Sequence, residues 1–113
     1  MSATLTNATN LDLIRFLLAR VDDDDAALKR LARQQSRAPH TTTLTGVQSV
    51  ERQRAECVAK RRVIGSAQQL LVLRDQPSER PIREAAVQIL RALAAPYADH
   101  ASFRPEWRLA ARS

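Results

Sequence analysis

The apolar residues of the first third of the chain recur at helical spacing. Leu11, Ile14, Leu18, Val21, Leu28 and Ala32 fall on one side of a helix, with Leu17 flanking, which predicts an amphipathic helix over residues 10–37. Asn10 is placed to cap its first turn, and Asp12 suits the positive helix end. The preceding MSATLTNAT, residues 1–9, is small and polar and reads as a frayed start. A second stripe of Val47, Val50, Cys57, Val58, Ile64 and Leu71 predicts a helix over 46–73, opened by a capping box of Thr45 and Gln48. Gly65 and Ser66 mark a possible kink, so Ala67 to Leu73 either continues this helix or forms its own. Ile82, Ala86, Ile89, Leu90 and Leu93 predict a third helix over 79–95, with Pro81 in its first turn and Pro96 beyond its end.

The segments between these stripes carry loop chemistry. Residues 38–45 combine Pro39 with a threonine run ahead of Gly46, and residues 75–80 read DQPSER. No alternating strand pattern is sustained, and the two glycines of the whole chain argue against tight hairpins. The expectation is one all-α domain spanning residues 1–113, a three-helix arrangement with the aromatic-rich tail of residues 96–113 packed across it. A chain of 113 residues with 44% hydrophobic content supplies one core of ordinary size.

The acidic run Asp22 to Asp25 interrupts the first stripe, with Asp25 standing where another leucine is expected. Three readings compete: a solvated turn whose carboxylates pair with nearby arginines, a break with one aspartate capping a new helix, and a cation or general-base site. Against the last, four adjacent carboxylates on a helix point in four directions, and the spacing lacks the alternation and glycine of a calcium loop.

The formal net charge of +6 invites a nucleic-acid partner. The candidate basic patch is Arg52, Arg54, Lys60, Arg61 and Arg62 on the middle helix, where positions 54, 58, 61 and 62 share a side. Glu51 and Glu56 lie among them, with Glu56 and Lys60 spaced for an i,i+4 pair. No helix-turn-helix pattern is evident. Lys29 and Lys60 are the only lysines, a skew towards arginine that a GC-rich genome produces without selection for phosphate contact.

Candidate chemistry is sparse. The lone Cys57 cannot form an internal disulfide and lies in a helical pattern, which suits a buried thiol in a reducing compartment. His40 has no Cys or His at ligand spacing, so no metal is expected. Gly46 and Gly65 lie in no nucleotide-binding pattern, so no cofactor is expected. Asp99 beside His100 suggests acid or base work, but no nucleophile accompanies them and Asp99 can equally cap a turn. No run approaches the ~20 apolar residues of a membrane span, and no signal peptide is recognisable, so a cytoplasmic, non-enzymatic protein is expected.

Leu90 to His100, followed by Phe103-Arg104-Pro105-Glu106-Trp107, resembles the ending of an actinobacterial family of short helical proteins of unknown function, typically LRLLALPYADHPDYREEW. Upstream, Glu56 to Ile64 is similar to a recurring EVEAKRRIL-type helix, and Phe16 to Asp22 to an FLRARLDEDE-type first helix. Ala101 stands where that family usually has proline and Phe103 where it has tyrosine. Some relatives carry Cys and His between the middle helix and the tail. This chain has neither in residues 65–95, so no metal site carries over.

The tail gathers Tyr97, Phe103 and Trp107. Either these rings cover the helices, or they and the neighbouring Asp99, His100, Arg104 and Arg108 form an interaction surface, since aromatics and arginine dominate binding hot spots. The functional expectation is a protein-binding or regulatory module whose partner is another protein or a second copy in a homodimer. Nucleic-acid binding through the middle helix is the alternative.

Overall fold

The computed structural model describes residues 2–37, 44–73 and 76–109. Among them the protein is all-α, with three helices: α1 (Ser2–Arg37), α2 (Leu44–Leu73) and α3 (Arg80–Ala94). Single 3-10 turns precede α3 at Pro77–Glu79, follow it at Ala95–Tyr97 and close the tail at Pro105–Trp107. At a rise of 1.5 Å per residue α1 alone is about 54 Å long. It sets the 59 Å long axis of a molecule only 27 Å across.

α1 and α2 form a long antiparallel hairpin, and α3 returns alongside both. The seam of the hairpin repeats every seven residues, through Ile14, Val21 and Leu28 on α1 and Val50, Cys57 and Ile64 on α2, all buried. That period holds two helices face to face over many turns. α3 joins through Ala86, Leu90 and Ala94, each 0% exposed, and the small Ala86 and Ala94 let it approach closely. Arg83 Nη1 donates to the Leu71 carbonyl at 2.5 Å, satisfying one of the carbonyls that the end of α2 leaves without a helical partner.

Several expectations are corrected. α1 begins at Ser2, so residues 2–9 are helical and Asn10 is a buried interior residue, not a cap. The helix passes unbroken through Asp22 to Asp25, which removes the turn and the break. α2 starts at Leu44, which puts Thr45 and Gln48 inside it, and it continues through Gly65 and Ser66 to Leu73. Residues 38–43 of the first loop, His40 included, lie outside the described residues.

The predicted stripe residues Ile14, Val21 and Leu28 of α1 and Val50, Cys57 and Ile64 of α2 are buried, but the buried arc of α1 is wider than expected and shifted from its leucines. Leu13 and Leu17 are 1% exposed while Leu11 and Leu18 are 43% and 36% exposed. The cause is that α1 is covered on two sides, by α2 and by the tail, so its buried arc centres between them. On α3, Ile82 and Ile89 stay exposed because the small Ala86 and Ala94 face the hairpin, and Val58 of α2 is exposed too.

Candidate interaction surface

Pro96 sits in the 3-10 turn that ends α3, and from there the chain descends α1 as a series of i to i+3 turns. Their backbone bonds run from His100 N–H to the Tyr97 carbonyl (2.9 Å), Phe103 N–H to His100 (3.0 Å) and Trp107 N–H to Arg104 (3.0 Å). Each turn delivers one ring to the same place on α1. Phe16 meets Tyr97, His100, Phe103 and Trp107 at centroid distances of 6.3, 5.6, 5.9 and 5.0 Å, the first three edge to face. Such geometry matches the ring quadrupoles. Phe103 and Trp107 also meet at 5.7 Å and 88°.

Of the expected interaction residues, Trp107 is therefore core at 2% exposure, and Tyr97 and Phe103 are half-buried against it. Asp99, His100, Arg104 and Arg108 are exposed. Arg104 fastens the end of the tail, donating to Asp12 at 2.9 Å while lying 5.5 Å from the Trp107 ring centroid. Sequence reasoning missed Phe16 as the hub. Its one signal was that it is the only aromatic residue outside the tail, and the tail rings needed a partner.

The aspartates are parcelled out around α1. Asp22 accepts from Arg61 at 2.9 Å, Asp23 pairs with Arg20 at 3.0 Å, and Asp24 accepts the Tyr97 hydroxyl at 2.6 Å. Asp25 faces the hairpin seam and meets Lys29 (3.3 Å), Arg61 (3.4 Å) and Arg54 (3.9 Å). Burial disfavours its charged form, but Lys29 and Arg61 outweigh that and hold the carboxyl below the usual carboxylate range. Arg61 is raised above its ordinary value, chiefly by its hydrogen bond to Asp22. Among the described residues no three His, Cys, Asp or Glu side chains converge as a metal site would need.

This network engages part of the expected basic patch. Arg54 and Arg61 are turned to α1, Arg52 pairs with Glu56 at 3.7 Å, and Lys60 lies 5.9 Å from the Tyr97 ring centroid, so the expected Glu56–Lys60 pair is replaced. Only Arg62 of the five is exposed without an ion pair among the described residues. The His100 ring receives Arg20 and the Ser102 N–H (3.0 Å to Nδ1), while Asp99 is exposed.

Beyond Tyr97 the tail turns back, and among the described residues the hairpin continues without a third layer. There α1 and α2 enclose an open groove of about 650 Å³, floored by Leu28 and Cys57 and flanked by Ala27, Leu31, Ser49 and Gln53. Asp24, Glu56, Arg52 and Lys60 supply its charges. Burial, then the nearby Asp25 and Asp24, push the Cys57 thiol up, so it is an inert floor rather than a nucleophile.

No helix among the described residues is long and apolar enough to cross a membrane. No curated protein and no solved structure matches the chain. The model of one family covers residues 10–109, nearly the whole chain, and the protein therefore belongs to that family, the family of unknown function DUF6221.

Proposed function

We propose that this protein is a non-enzymatic binding module that works by presenting its helical hairpin to another protein. The observation that supports this is surplus surface. A compact chain of this mass exposes about 6,200 Å², whereas this one exposes 8261 Å². Its radius of gyration is 17.5 Å, against about 13 Å for a compact chain of its length. Large apolar side chains occupy part of that surface, Leu31, Val58, Val72 and Ile89 among them. The tail is a lid on this reading, and recognition falls to the groove it leaves open.

The immobilised chain, exposed to extract of its source cells, should retain a defined protein that withstands high salt. Retention of nucleic acid alone, lost as salt rises, would favour the other reading. That reading has one observation behind it. Arg30, Arg33 and Arg37 share one exposed face of α1 and have no acidic partner among the described residues. On the middle helix Arg54 and Arg61 are tied to aspartates and Arg52 to Glu56, while Arg62 is exposed.

A further inference from the structure

We infer that the open end of the α1–α2 hairpin is where a second copy of this chain docks, groove to groove across a two-fold axis, to make a four-helix bundle. The inference rests on the protein-binding reading and names its partner.

The shape of the groove selects a helix as occupant. α3 lies alongside α1 and α2 as far as Ala94, and Tyr97 then touches Asp24 and Lys60, the two residues at which the groove begins. The groove is thus the continuation of a lane that a helix already fills. Beyond it α1 still runs from Ala27 to Arg37, about 16 Å or three turns, and α2 covers a similar span from Leu44 to Glu56. Over that length the described two-helix core holds only Leu28 and Val50 as fully buried apolar residues, with Leu31 left 42% exposed. A second pair of helices laid across this stretch completes a four-helix bundle.

Charge selects a copy of the same chain. The protein as a whole carries +6, which opposes its own association. The groove is the exception: its charged lining is two acids, Asp24 and Glu56, and two bases, Arg52 and Lys60. A neutral, mixed patch meets its own copy across a two-fold axis without the repulsion that the net charge of the whole chain would give. Ala27 and Ser49 are small enough for the backbones to approach, and Leu31 then meets its counterpart or Leu28 of the partner.

The test is solution mass against concentration, by sedimentation or light scattering, on the full chain and three variants. The wild type is expected at twice the 12.6 kDa chain mass. Leu31→Arg and Ala27→Arg, both at exposed groove positions, are expected to weaken the dimer by about tenfold or more with unchanged helical circular dichroism. Leu18→Arg, exposed on another face of α1, is expected to leave it intact. A wild type that stays monomeric at every concentration overturns the inference, as does a dimer that survives both groove variants or is broken only by Leu18→Arg. If the wild type is monomeric yet retains a different protein from extract, the second copy is wrong and the protein-binding reading stands. If it is monomeric and retains nothing, both fall.

Discussion

The Tyr97 hydroxyl donates to Asp24 Oδ2 at 2.6 Å, joining the end of α3 to the middle of α1 across 73 residues of sequence. Burial and this bond to a carboxylate push the phenol above its ordinary value of 10.0. Because the folded value is raised, the resulting stability is fully present below the unfolded phenol's pKa and is lost as pH climbs from about 10 towards the folded value. Tyr97 is the only tyrosine, so tyrosinate absorbance reads it alone. The folded protein should titrate later than the same chain in denaturant. Tyr97→Phe should lose about 1 to 2 kcal/mol at neutral pH and lack the alkaline decline. A phenol titrating at the same pH in both states contradicts the buried bond.

At the acid end the relevant group is Asp25, whose carboxyl is held low by Lys29 and Arg61 against the opposing effect of burial. A depressed folded value means stability that is present above the unfolded carboxyl's 3.8 and disappears as pH falls through the folded one. Urea unfolding across acidic pH should show this loss in the wild type and a shallower one in Asp25→Asn. Arg61→Ala should cost more than Arg52→Ala. The Arg52–Glu56 pair has 84% and 56% exposed side chains and contributes at most about 0.5 kcal/mol, whereas Arg61 carries two aspartates at the seam.

The same network shows what the sequence could and could not convey. The number of helices was legible because Pro39, Gly46, Pro81 and Pro96 punctuate three helical stripes. The full buried arc of α1 was not. A single helix read alone places its apolar face by leucine count, but α1 is shared between α2 and the tail, so Leu13 and Phe16 are buried and Leu11 is not. Asp25 was conspicuous as a flaw in the stripe, yet its partners Arg54 and Arg61 lie on another helix, and only the antiparallel register brings them opposite. Within the basic patch, the pairing of Arg54 and Arg61 was hidden for the same reason: their aspartates stand some thirty to forty residues away in sequence.

The tail should behave as part of the core. Phe16→Ala removes the ring that Tyr97, His100, Phe103 and Trp107 all touch, and truncating a buried aromatic costs about 3 to 5 kcal/mol. Trp107→Ala should cost a similar amount, and the double variant less than the sum, because the two rings share an environment. Trp107 is the only tryptophan, so its fluorescence reports the lid. Emission should move to the red in Phe16→Ala while helical circular dichroism changes little, the signature of a released tail on an intact hairpin. Unchanged emission would mean that Phe16 is not what holds Trp107 in place.

Gly65 offers a gain rather than a loss. It lies inside the continuous α2, its φ is not positive, and a Cβ built on it meets nothing within 4 Å. Glycine in a helix interior costs about 1 kcal/mol relative to alanine, through the backbone freedom of the unfolded chain. Nothing in the packing of the single chain compensates for that. Gly65→Ala should therefore raise stability by about 0.5 to 1 kcal/mol, read as a higher urea midpoint with an unchanged slope. A loss of stability, or of dimer mass with helicity retained, would show that another backbone approaches this position in the assembled protein. That would place the contact between copies on the Gly65 face of α2 instead of the groove beyond Tyr97.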